Sequence, residues 1–104
     1  MGIRQYPRET LEYLSVPIDG PPEDLTGLGV TMQVRPYPER PIEDGWKAAG
    51  WGEDPDTGQT VAQILIGPSS DFDFSAAPGT YIPYVRISAS PETPVIEGRP
   101  VKVG

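Results

Sequence analysis

Fourteen prolines and twelve glycines, a quarter of the 104 residues, decide what this chain can fold into. Proline lacks a backbone donor and fixes φ, so it is excluded from helix interiors and from uninterrupted central ladders. The apolar runs left between these residues are short, and none sustains a helical period. Proline and glycine punctuate these runs instead of forming a repetitive tract. The pattern therefore predicts an ordered β domain with many turns rather than disorder.

The stretch Ala77-Pro78-Gly79-Thr80-Tyr81-Ile82-Pro83-Tyr84-Val85-Arg86-Ile87 is the organising strand: a Pro-Gly turn leading into β-branched and aromatic residues. Tyr81, Val85 and Ile87 share one face, with Ile82, Tyr84 and Arg86 on the other. Pro83 cannot donate to a ladder, which predicts a bulge or an open edge there. On that reading Tyr84 is exposed near a sheet edge, where a neighbouring chain docks.

The other runs read as its neighbours. Leu14, Val16 and Ile18 alternate against Leu11 and Tyr13, and Pro17 places the end of that strand at a sheet edge. Val30, Met32 and Val34 face opposite to Thr31, Gln33 and Arg35, the signature of a half-buried antiparallel strand. Pro36, Pro38 and Pro41 predict an extended, polyproline-like loop. Trp46 to Trp51 reads as one short strand, because Gly45 and Gly50 bracket it too closely for a helix. A hairpin turn over Glu53 to Gly58 leads into Thr60 to Ile66, apolar on both faces for part of its length. Asp71 to Phe74 reads as a turn crossing between sheets, and Val95 to Val103 as a last strand interrupted by Pro100, with Val101 and Val103 inward. The sum is six or seven strands in two antiparallel sheets packed face to face, over residues 9–104. Residues 1–8 form an extended arm.

Chemistry is bounded mainly by what is missing. The chain has no histidine and no cysteine, which excludes Ser-His and Cys-His relays, disulfides and thiolate or imidazole metal sites. Asp54-Pro55-Asp56-Thr57-Gly58 opens like a calcium loop, but Leu65 stands where the bidentate glutamate belongs. Asp71 with Asp73, and Glu53 with Asp54, read as solvated turn charges rather than a catalytic carboxylate pair. No enzymatic activity and no cofactor are expected. The net charge of −7 repels phosphate backbones, so a nucleic-acid partner is not expected. No apolar run approaches the ~20 residues of a membrane helix, and the N-terminus lacks the apolar core of a signal peptide. A soluble protein made in a cytoplasm is the expectation, with no membrane partner.

Aromatic residues and the arm supply the candidate interface. Trp46, Tyr81 and at least one phenylalanine are expected in the core. Trp51, flanked by Gly50 and Gly52, is harder to bury and reads either as a core residue or as an interface anchor. Tyr37 in the proline-rich loop, Tyr6 and Arg8 in the arm, and Tyr84 complete the set.

The motifs come in a telling order. Asp24-Leu25-Thr26-Gly27 precedes the Val30 to Val34 strand. A short tryptophan strand, an apolar strand ending in Gly67, Pro78-Gly79-Thr80-Tyr81 and a terminal Gly98 to Val103 segment follow. This order resembles the small immunoglobulin-like modules of tailed-phage virions, such as the N-terminal module of baseplate upper proteins and short proteins encoded among actinobacterial phage head genes. The resemblance implies a small immunoglobulin-like antiparallel β-sandwich and a non-enzymatic virion structural protein. Its implied partners are phage structural proteins (major capsid, connector or tail), contacted in a multi-copy assembly. Baseplate modules continue into a longer receptor-oriented region, and the end at Gly104 favours a capsid decoration or head–tail connector accessory. The implied location is the virion, assembled in the host bacterial cytoplasm. The alternative is a carbohydrate- or cell-surface-binding module of a tail or baseplate, with Trp51 and Tyr37 as stacking platforms.

Overall fold

The ten-residue strand Gly79–Ser88 is flanked on both sides, and the rest of the chain is built outward from it. The computed structural model describes the backbone of residues 4–6 and, in full, residues 11–19, 25–67, 70–73, 77–88 and 93–103. In chain order the strands are β1 (Arg4–Tyr6), β2 (Glu12–Pro17), β3 (Gly29–Pro36), β4 (Lys47–Ala48), β5 (Gly50–Glu53), β6 (Thr60–Ile66), β7 (Gly79–Ser88), β8 (Val95–Glu97) and β9 (Val101–Val103). A 3-10 turn, Glu43–Gly45, lies between β3 and β4.

The larger sheet runs β1-β9-β7-β3-β4, with β8 also on β7; the smaller runs β2-β6-β5. All pairings are antiparallel except that of β1 with β9. The protein is thus all-β, a sandwich-like pair of sheets around one core. Every run foreseen as a strand contains one. The count reaches nine because two runs are split and the arm contributes β1.

The core follows from alternation. Leu14, Val16 and Ile18 from the smaller sheet, with Ala62, Ile64 and Ile66, meet Val30, Met32, Val34, Tyr81, Val85, Ile87, Val101 and Val103 from the larger. Met32 and Val85 are register partners at its centre, each 0% exposed. Burying side chains of this size contributes about 1.5–3 kcal/mol each relative to exposure. Pro17 ends β2 at the edge of the smaller sheet, as its missing donor requires.

Pro83 is accommodated by a break in its neighbour. β9 pairs with Gly79 to Tyr81, and β8 pairs with Tyr84 to Arg86, leaving Ile82 and Pro83 opposite the Gly98-Arg99-Pro100 crossing. The Gly98 N–H donates to the Pro83 carbonyl at 2.8 Å. A strand residue directs its N and C=O to the same side, so the missing donor of Pro83 faces this break. The expected bulge is there. The expected open edge is not, and Tyr84 is 2% exposed.

The Trp46 to Trp51 run is the second departure. β4 pairs with β3 in the larger sheet, whereas β5 pairs with β6 in the smaller. The chain changes sheets at Ala49, whose N–H donates to the Val30 carbonyl at 3.1 Å. The two tryptophans therefore belong to different layers.

Candidate functional site

The outer face of the larger sheet is covered by the proline-rich loop. Gln33 projects outward from β3 yet is only 1% exposed. Its Nε2 donates to the Ile42 carbonyl at 3.0 Å, and its Oε1 accepts the Ile42 N–H at 2.7 Å. The loop is not the extended polyproline segment that its composition predicts. It closes a turn through Glu39 N–H on the Pro36 carbonyl at 2.7 Å, then the 3-10 turn at Glu43–Gly45. Polar backbone in the loop needs partners, and Gln33 supplies them.

This covering layer accounts for Tyr84. Its ring lies under the loop, its hydroxyl donates to the Glu39 carbonyl at 3.1 Å, and the Arg40 guanidinium sits 5.7 Å from the ring centre. Arg40 also reaches Glu97 at 3.4 Å, and Arg35 pairs with Glu39. Tyr84 is thus a buried support for the loop rather than an exposed docking residue. Nothing in the alternation of β7 reveals this, because the cover comes from residues some forty positions earlier.

Trp46 departs from its expected place in the core, and of the two readings of Trp51 the structure shows the core one. Trp46 lies outside the core, half-buried, with the Arg86 guanidinium 4.6 Å from its ring centre. Arg86 Nε is held in turn by Thr31 Oγ1 at 3.3 Å. Trp51 packs against the core and donates Nε1–H to the Leu28 carbonyl at 2.9 Å. Its remaining accessible surface borders a shallow concavity of about 290 Å3. The sheet change at Ala49 turns Trp51 inward and leaves Trp46 outside. Tyr37 is exposed as expected. The Tyr6 backbone belongs to β1, paired with Val103, while Arg8 lies outside the described residues. Of the expected interface residues that are described, Tyr84 lies beneath the loop that carries Tyr37, and Trp51 packs on the core beside Leu28.

A second concavity lies on the outer face of the smaller sheet, and its origin is the same sheet change. The β5–β6 ladder ends at Gly50↔Gln63. Beyond it the chain leaves for the larger sheet, and Phe72 takes the place beside Ile66. Gly67 N–H donates toward Phe72 at 3.0 Å. Alternate residues point the same way, so the Leu65 carbonyl meets Phe72 through the parallel bridge at Ile66 and the Leu65 N–H faces the gap. The resulting hollow of about 390 Å3 is bordered by Tyr13, Gly50, Gln63, Leu65, Ser70 and Asp71. Tyr13 is 56% exposed. The Ser70 hydroxyl is occupied, donating to the Gly67 carbonyl at 2.7 Å and accepting from Phe72 N–H at 3.3 Å. By contrast, the Tyr13 hydroxyl, the Gln63 carboxamide and the Asp71 carboxylate have no partner among the described residues. Sequence reasoning placed Tyr13 only on the outward phase of β2 and Asp71 in a turn; their meeting required the fold.

The acidic turns are structural. Asp54 Oδ1 accepts from Asp56 N–H at 2.8 Å and from Thr57 N–H at 3.3 Å, and Gly58 closes the hairpin with φ 75°. Among the described residues no group of three or more acidic side chains is placed to hold a metal ion, and no helix is long and apolar enough to cross a membrane. One further polar contact lies at the start of β7, where the Tyr81 hydroxyl donates back to the Ala77 carbonyl.

Comparison with known proteins identifies no relative: no family model, curated protein or solved structure matches this chain.

Proposed function

We propose that this chain is a non-enzymatic, immunoglobulin-like structural module of a tailed-phage virion, carried in many copies on the capsid or at the head–tail junction and bound to other phage structural proteins. The observation that carries the immunoglobulin-like part is the hydrogen bond from Tyr81 to Ala77. A tyrosine at the start of the strand following a sheet-to-sheet crossing, with its hydroxyl turned back a few residues, matches the pattern of the tyrosine corner in such sandwiches and so supports the reading. Strand order supports the same reading. β2-β6-β5 stands where strands B, E and D pair, and β3, β7 and the split β8/β9 stand where C, F and G pair.

The arm supports assembly. β1 extends the larger sheet by a three-residue parallel pairing on β9. Addition of a short terminal strand to a sheet margin is also a means by which modules join neighbouring chains. Copy number then multiplies modest contacts into stable attachment.

The test is purification of particles from a host expressing the phage genes, followed by quantitative mass spectrometry across the particle band. Co-sedimentation at a fixed ratio to the major capsid protein is expected. A particle band free of the protein would overturn the assignment to the virion.

A further inference from the structure

The hollow beside Leu65 has the size of a small-ligand site and polar side chains with no partner among the described residues, whereas Gln33, on the outer face of the other sheet, is fully engaged. The contrast between two outward-facing glutamines shows this. Gln33 spends both ends of its carboxamide on Ile42. Gln63, half-buried over Gly52, spends neither end on a described residue. An amide left half-buried without a protein partner costs stability unless water or a ligand satisfies it.

From this geometry we propose that the hollow binds a neutral pyranose sugar. The volume of about 390 Å3 falls within the range of about 300–1,000 Å3 typical of small-molecule sites. Tyr13 offers an accessible ring for the apolar C–H face of a pyranose and a hydroxyl at its rim. Asp71 accepts, the Leu65 N–H faces the same space, and the Gln63 carboxamide, lying over Gly52 at the rim, both donates and accepts, which matches the mixed donor and acceptor character of sugar hydroxyls. Gly50 lets the ligand approach the sheet closely, because a Cβ there would meet nothing within 4 Å. Asp71 and the net charge of −7 disfavour anionic ligands. The proposal goes beyond the virion reading and does not rest on it: absence of the protein from particles would leave the sugar site standing.

The experiment is titration of the 15N-labelled full chain with methyl β-D-glucopyranoside, methyl α-D-mannopyranoside, N-acetylglucosamine and lactose, followed by amide chemical shifts. At least one sugar is expected to give saturable shifts at Gly50, Gln63 and Leu65, with a dissociation constant on the order of 1–10 mM, as befits a shallow site. Tyr13→Ala and Gln63→Ala should each weaken it at least ~5-fold, the loss of one stacking or hydrogen-bonding contact, while leaving the spectrum of the core unchanged. Gly50→Ala should abolish binding by filling the floor. The absence of saturable shifts with all four sugars up to ~50 mM, well past a millimolar constant, would overturn the proposal. So would shifts centred elsewhere, or binding unaffected in both Tyr13→Ala and Gln63→Ala. Glucuronic acid serves as the charged control, and binding as tight as that of glucose would overturn the assignment to neutral sugars.

Discussion

Gln33 and Ile42 are joined by a two-way hydrogen bond in which a side-chain amide takes the part of a neighbouring strand's backbone. That pair fastens the proline-rich loop over the larger sheet and seals Tyr84 beneath it. Gln33→Ala removes both bonds. The Ile42 backbone then has only water to turn to, and the expected loss is about 1–3 kcal/mol. Urea denaturation measures it, and faster amide exchange of the loop should accompany it.

Gly45 tests the same clamp from the other side. A Cβ at Gly45 would lie 2.4 Å from Gln33 Oε1 and 2.9 Å from Ile42 Cγ1. The amide cannot swing aside without breaking its bonds, so Gly45→Ala should destabilise by about 1–3 kcal/mol, as overpacking does. In the double variant with Gln33→Ala the two costs should be less than additive, because the residues share one contact. Strict additivity in a double-mutant cycle would refute the clamp.

At the crossing that accommodates Pro83, a Cβ on Gly98 would come within 2.9 Å of Pro83 Cγ and 3.1 Å of Val16 Cγ2. Neither proline ring nor packed valine can yield freely. Gly98→Ala should lower stability by about 1–3 kcal/mol, read from the urea midpoint. Gly50→Ala, with open space above it, should be neutral or stabilising by up to about 1 kcal/mol.

The two tryptophans should respond unequally. Trp51→Ala removes a ring packed on the core and its bond to Leu28, at a cost of about 2–4 kcal/mol. Trp46→Ala forfeits mainly the stack with Arg86, about 0.5–1 kcal/mol at an accessible site. Thermal denaturation of both variants checks the order, and the reverse order would contradict the observed layering.

Burial raises the Tyr81 hydroxyl above its ordinary pKa of 10.0. The unfolded chain therefore releases this proton first as pH rises. Its stabilising contribution is complete below about pH 10 and declines as pH climbs through the folded-state value. Tyr81→Phe should lose about 0.5–1.5 kcal/mol at neutral pH. The variant should also show a shallower fall in stability above pH 10 than the parent. Parallel alkaline profiles would dissociate Tyr81 from that fall.

Much of the fold was legible because period-two alternation is a local property. Val30, Met32 and Val34, or Leu14, Val16 and Ile18, declare an inward face wherever their strand is placed, and Pro17 and Pro83 declare where a ladder must end or break. Three outcomes were beyond such reasoning. Alternation says which residues face away from the core, not whether another segment returns to cover them, so Tyr84 read as exposed and Gln33 as an ordinary surface residue. A run too short to show its partners cannot reveal a change of sheet, so the break at Ala49 and the position of Trp46 outside the core stayed hidden. That same break opens the hollow where Tyr13, Gln63 and Asp71 meet from three separate parts of the chain. The sequence alone determined the β character, the inward faces and the absence of histidine and cysteine chemistry. Only the tertiary structure decided which outward faces are covered and which polar groups remain unspent, because those depend on contacts between residues far apart along the chain.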